Sequence, residues 1–155
     1  MEVERKFLLN HIPDELESYE KKKILQGYIS LNPALRIRSS GTDFIFTFKT
    51  GKGLVRDEFE CPITKEQFDN LWELVLGKEI KKDRYYIPLS EGLIAELDIY
   101  HERLSGLVTV EVEFETSEQA EAFNPPMWFG EDVTNDLRYS NSNLSKILPP
   151  TLKQA

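Results

Sequence analysis

The sequence predicts an α+β domain that is mainly β: a closed or nearly closed barrel of eight antiparallel strands with a few flanking helices. Three observations lead there. Eight runs alternate with period two, the strand signature, at 2–8, 25–30, 34–40, 43–50, 54–62, 79–88, 93–101 and 107–115. Several links between them are short and carry glycine (Ser40-Gly41-Thr42, Gly51-Lys52-Gly53, Ser105-Gly106), as antiparallel hairpins require. The chain is only 155 residues, with 40% hydrophobic and 30% charged residues, so one domain spanning 1–155 must hold all eight strands. Eight antiparallel strands in so small a unit close most economically on themselves.

Helical segments fill the intervals. Pro13 to Ile24 is polar and rich in Glu and Lys. Thr64 to Leu76 has capping-box spacing at Thr64 and Gln67, helical periodicity at Phe68, Leu71, Trp72 and Val75, and Gly77 as a stop. Thr116 to Phe123 repeats that spacing with Gln119 and ends before Pro125-Pro126. A last turn or two is expected around Asn143 to Leu148. Phe68 and Trp72 read as core, Trp128 and Phe129 as fasteners of the segment after Pro125-Pro126 to the barrel exterior, and Cys61 as a small buried apolar residue.

The strands carry charge at i, i+2. Glu2, Glu4 and Lys6 share a face; so do Arg36 and Arg38, then Arg56, Glu58 and Glu60, then Lys82 and Arg84, Glu96 and Asp98, and Glu111 and Glu113. Lys49 ends a strand whose other face is Phe44, Phe46 and Phe48, and Val110, Val112 and Phe114 form an apolar face opposite Glu111 and Glu113. A half-exposed sheet with its charges in water explains any one strand. For the set, helices covering the apolar faces would leave the charged faces to line the barrel interior. Buried charge must be paired or coordinated, so the pattern predicts a polyanion and metal ions inside. Arg36, Arg38, Lys49, Arg56, Lys82 and Arg84 suit phosphate oxygens, and the closely spaced acids suit hard cations such as Mg²⁺ or Mn²⁺.

Other classes are excluded by composition. Asp plus Glu is 27 against 19 Lys plus Arg, a net charge of −8, which disfavours nucleic acid or an anionic membrane as partner. The proposed tunnel holds eight acids against seven bases, a net of −1, so most of the acidity belongs to the outer surface. One cysteine rules out an internal disulfide and a cysteine-only zinc site, and two histidines are too few for a His-rich metal site. No apolar run approaches the ~20 residues of a membrane helix, and Glu2 and Glu4 follow Met1 with no basic start, so a cytoplasmic protein is expected. An aromatic barrel wall at Phe44 to Phe48, left uncovered, would serve a homodimer.

Taken in order, Glu2-Val3-Glu4-Arg5-Lys6, Gln26-Gly27-Tyr28, Arg36 and Arg38, Lys49, Arg56-x-Glu58-x-Glu60, Lys82-x-Arg84, Glu96-x-Asp98, Glu111-x-Glu113 and the closing Asp132-Val133-Thr134 with Arg138-Tyr139-Ser140-Asn141 resemble the CYTH superfamily of triphosphate tunnel metalloenzymes over nearly the whole chain. The resemblance implies an eight-stranded tunnel and a divalent-cation-dependent reaction on a triphosphate. It implies a metal on Glu2, Glu4 and Glu113 with Glu111 close by, a second metal near Glu60 and Asp98, and phosphate binding by the six cations named above, with Glu58 and Glu96 in support. Lys6 and Tyr28 match a pair that activates water, though Lys6 is also read as a phosphate clamp and Tyr28 as a packing residue. The activity implied is hydrolysis of inorganic triphosphate to pyrophosphate and phosphate. Alternatives are a class IV adenylyl cyclase, a thiamine or nucleoside triphosphatase, and a non-catalytic polyphosphate binder.

Overall fold

The computed structural model describes residues 2–52 and 55–145; the side chains of Lys52, Arg56, Lys78 and Ser142 lie outside that description. Its strands are β1 (Glu2–Leu9), β2 (Glu20–Leu31), β3 (Ala34–Ser40), β4 (Asp43–Lys52), β5 (Val55–Pro62), β6 (Leu76–Pro88), β7 (Ile94–Tyr100), β8 (Val108–Phe114) and β9 (Phe129–Asp132). Three short helices accompany them: α1 (Lys65–Trp72), α2 (Ser117–Ala122) and α3 (Asn141–Leu144).

The pairings are antiparallel and run in a ring: β1, β5, β4, β3, β2, β6, β7, β8 and back to β1. The ring closes through Glu2 opposite Arg56 and Val3 opposite Val55. Beyond those residues the same edge of β1 is taken by β9, with Phe7 opposite Asp132 and Leu9 opposite Phe129. This ninth strand is an addition to the eight expected. Gly130 permits it, because a side chain there would press on the backbone of Leu8, Leu9 and Asn10 at 3.0–3.2 Å.

Period-two alternation then sorts side chains between two environments. Outward, Val3, Phe7, Tyr85, Ile87, Ala95, Leu97, Val110, Val112 and Phe114 form a buried cluster with Ala120 of α2 and with Phe129, and Trp128 packs on it. On the opposite wall α1 lies over β3 and β4: Phe68 is buried, rests on Phe44 and stacks with Trp72. Both helices begin as expected, Thr64 and Thr116 each accepting from the backbone N–H three residues on. Helix α1 stops at Trp72, and Gly77 falls inside β6 instead of ending the helix. One end of the barrel, where Ile80 and Tyr100 point inward, is closed by Leu104, Leu107, Val133, Tyr139 and Leu144.

Two expectations need correction. Pro13 to Ile24 is not a helix: it contains a single 3-10 turn at Leu16–Ser18, and β2 starts at Glu20. The Glu/Lys run pairs residue by residue with β6, from Glu20 opposite Tyr86 to Lys23 opposite Asp83, and Lys21 and Lys22 lie 5.7 Å from the rings of Tyr85 and Tyr86. Pairing with a long neighbour outweighs local helix preference. Cys61 faces outward but is exposed, because α1 reaches β3 and β4 and leaves the outer face of β5, with Phe59 67% exposed, open. Of the last expected turn, Asn141–Leu144 is helical, and 146–148 lie outside the described residues. Among the described residues no helix is long and apolar enough to cross a membrane.

Candidate active site: a charged barrel interior

The register of β1 and β8 sets Glu4 opposite Glu113 and Lys6 opposite Glu111, all facing inward. Carboxylate oxygens of Glu2, Glu4 and Glu113 all lie within 4.8 Å of one another, the single group of three such ligands among the described residues. These groups resist ionising together. Burial, then Glu111 and Glu2, raises the Glu4 carboxyl well above its ordinary range. Burial also raises Glu2, against the pull of Lys49, whose Nζ is 3.3 Å away. Glu113, the exposed member, is pushed up to about 7 by burial and by Glu96, Glu2, Glu58 and Glu111. Glu2 Oε1 is buried and, among the described residues, has the Lys49 ion pair but no hydrogen bond. A compact, all-oxygen, mutually repelling set fits a hard divalent cation.

Against this acidic group stands a wall of cations. Arg36 is buried and its Nη2 reaches Thr47 Oγ1 at 3.4 Å. Arg38 approaches Glu60 at 3.6 Å, and Lys49 approaches Glu58 at 3.7 Å. Lys82 lies 2.8 Å from Asp98 Oδ2, and Arg84 reaches Asp98 at 2.7 and 2.8 Å and Glu96 at 2.9 Å. Burial, then Asp98's attraction outweighed with help from Arg84's repulsion, leaves the Lys82 ammonium at about 8. Burial, Arg36 and Arg84 lower Arg38 to about 10. Cations this crowded and dry call for anions.

Lys6 sits where the two regions meet. Its Nζ donates to the Tyr139 carbonyl at 2.6 Å and lies 3.9 Å from Glu111. Its backbone is gripped by the C-terminal segment: N–H to Thr134 Oγ1 at 3.0 Å, and C=O from Val133 N–H at 2.8 Å. Burial opposes the charge of Glu111, but Lys6, Arg84 and Lys82 hold its carboxyl well below the ordinary range. Lys6 and the buried Tyr28 line one cavity of about 400 Å³ together with Glu4, Lys49, Glu111 and the segment around Tyr139.

The structure thus gathers Glu2, Glu4 and Glu113 as one carboxylate group and sets Lys6 and Tyr28 on one cavity. The acids expected beside a second metal also meet cations and a hydroxyl: Asp98 meets Arg84 and Lys82, Glu60 meets Arg38 and Thr47. Arg56 is opposite Glu2 in register, and its side chain lies outside the description. Sequence reasoning passed over Thr47, fully buried between Arg36 and Glu60. Its signal was there: it alternates with Lys49 on the polar face of an aromatic strand. Thr134 and Tyr139 stand in the closing motifs, but nothing in those motifs showed that they hold Lys6 from 128 and 133 residues away.

A closed barrel with acids and cations facing one another inside has the chemistry to hold a hard cation and a polyanion together. The CYTH domain model matches residues 1–144, and the chain belongs to that family. It is 42% identical over 152 residues, 96% of this chain and 99% of the relative, to an inorganic triphosphatase of Nitrosomonas europaea. It is 32% identical over 149 residues, 94% of this chain and 93% of the relative, to an inorganic triphosphatase of Acetivibrio thermocellus. A crystal structure of an inorganic triphosphatase, 39% identical, superposes with a TM-score of 0.71 over 96% of this chain and 97% of its own. A Hippeastrum protein described as a putative adenylyl cyclase shares the fold at 18% identity and a TM-score of 0.58, covering 78% of this chain and 83% of its own.

Proposed function

We propose that this protein is a metal-dependent triphosphatase that hydrolyses inorganic triphosphate to pyrophosphate and phosphate inside the barrel. One observation carries the reading: a single closed barrel turns the carboxylate group of Glu2, Glu4 and Glu113 and the cations Arg36, Arg38, Lys49, Lys82 and Arg84 toward a common interior. The likeness to two inorganic triphosphatases over nearly the full chain supports the substrate.

The cation wall binds the phosphates, the arginines through forked pairs of N–H bonds. Asp98 and Glu96 hold Arg84 at a fixed angle, so little is reorganised when the anion arrives. Lys6, beside Tyr28 in the same cavity, takes the proton of a water that attacks a terminal phosphorus. A water oxygen–phosphorus bond forms, the bridging phosphorus–oxygen bond breaks, and pyrophosphate leaves. Glu2, Glu4 and Glu113 would hold Mg²⁺ or Mn²⁺, which would supply charge neutralisation of the substrate.

The test is a substrate panel of inorganic triphosphate, ATP and thiamine triphosphate, each with Mg²⁺ or Mn²⁺, with released phosphate and cyclic nucleotide measured side by side. Phosphate release fastest from inorganic triphosphate is expected. Cyclic AMP from ATP with no phosphate released from any substrate overturns the reading.

A further inference from the structure

Gln26 has no part in the reaction as read so far. It is nevertheless fully buried, and neither Nε2 nor Oε1 of its carboxamide has a hydrogen-bond partner among the described residues. Buried amides are rarely left so; their donors and acceptors find protein, water or ligand. Gln26 faces the barrel interior, opposite Arg38 on β3 and Ile80 on β6, one step along the inner face from Tyr28.

The strand cannot turn it elsewhere. Gly27 faces outward under Val75 and Trp72, so close that even a Cβ would meet Val75 Cγ1 at 2.6 Å. The Gln-Gly-Tyr run is thereby explained as two inward side chains around a residue that lets the outer layer sit on the strand. Around Gln26 the unmet hydrogen bonds are chiefly donors: Arg36 Nε and Arg38 Nε are also buried without a hydrogen-bond partner among the described residues. Three unmet N–H donors on two adjacent strands fit a ligand rich in acceptor oxygens and poor in hydrogens.

We propose that Gln26 is a substrate-contacting residue, its carboxamide N–H donating to a phosphoryl oxygen of triphosphate held along β2 and β3, with Oε1 accepting from a water there. The inference rests on the triphosphatase reading for the identity of the ligand. A neutral donor at this point adds a directed bond without adding to the mutual repulsion of Arg36, Arg38 and Arg84, which already lowers Arg38.

The experiment compares Gln26→Leu, Gln26→Met and Gln26→Glu with the unchanged protein. Three quantities are read: thermal midpoint without ligand, calorimetric affinity for the non-hydrolysable P–N–P analogue of triphosphate in Mg²⁺, and kcat/KM for inorganic triphosphate. Gln26→Leu is expected to keep or raise the thermal midpoint, because an unmet buried amide is removed. It is expected to weaken the analogue by about tenfold or more. Gln26→Glu is expected to weaken it further, since a carboxylate repels phosphate. An apolar variant that binds the analogue as tightly as the unchanged protein overturns the proposal, as does one whose only defect is lost stability. Gln26→Met, which keeps the side-chain length, serves if the leucine variant does not fold. An unchanged protein that binds the analogue but releases no phosphate overturns the hydrolase reading and leaves the Gln26 affinities to be judged separately.

Discussion

Arg84 lays its guanidinium edge along both oxygens of Asp98, Nε to Oδ1 at 2.7 Å and Nη2 to Oδ2 at 2.8 Å, from directly opposite positions on β6 and β7. Lys82 adds a third contact at 2.8 Å. Burial works against the Asp98 charge, yet Arg84 and Lys82 bring its carboxyl below the ordinary 3.8. Asp98→Ala strands two buried cations, and a loss of about 3–5 kcal/mol in urea unfolding is expected at neutral pH. The Asp98 contribution is fully present above its unfolded value and fades as pH falls through the lower folded one. The gap between variant and unchanged protein therefore narrows below about pH 4. A gap under about 1 kcal/mol at pH 7 refutes this account.

Glu4→Gln separates metal binding from folding. The raised Glu4 carboxyl means that its ionised form strains the metal-free barrel. The amide keeps the shape without the charge, so the metal-free variant should unfold at or above the temperature of the unchanged protein at pH 8. Its Mg²⁺-induced rise in melting temperature should vanish, and triphosphate hydrolysis with it. Full activity in this variant removes Glu4 from the metal site.

The same carboxylates make metal binding proton-linked. Glu113 titrates near 7, so protons compete with the cation below that pH. A group raised from 4.5 contributes stability that is present below 4.5 and lost as pH climbs toward 7. The melting-temperature rise caused by Mg²⁺ should accordingly be larger at pH 8 than at pH 6; solvent at the exposed Glu113 moderates the size. An equal rise at both pH values contradicts the linkage.

Lys6→Met tests the proton-transfer role. If Lys6 takes the proton of the attacking water, kcat falls far more than KM rises. A change confined to KM makes it a phosphate clamp.

Gly27→Ala probes the outer layer. The new methyl meets Val75 Cγ1 at 2.6 Å and the Trp72 ring at 3.2 Å, and overpacking of this kind costs about 1–3 kcal/mol. Thermal unfolding at unchanged buffer conditions reads it directly; an unchanged midpoint shows that Val75 gives way freely.

The alternation was enough to place Glu2, Glu4, Lys6, Arg36 and Asp98 inside, because period two assigns a face without knowledge of the partner strand. It was not enough to find β9 or the true start of β2. Those depend on which neighbour has a free edge, a property of the assembled sheet and not of the segment. The same limit explains Asp98. Its residue type suits a metal, and only register reveals that Lys82 and Arg84 also reach its oxygens. Tyr139 lends Lys6 a backbone carbonyl, which any residue type could supply, so the motif that contains Tyr139 gave no hint of this contact.

Among the described residues the barrel's ring is completed by two residue pairs, Glu2 with Arg56 and Val3 with Val55. One of those four residues also belongs to the carboxylate trio. The seam is therefore fastened at a point where negative charge pushes apart, and a divalent cation bound there would act as a rivet. Amide hydrogens along the β1–β5 seam should exchange with solvent faster in chelator than in Mg²⁺, while those between β7 and β8 stay indifferent. In such a molecule, loading the metal and tightening the container would be one event.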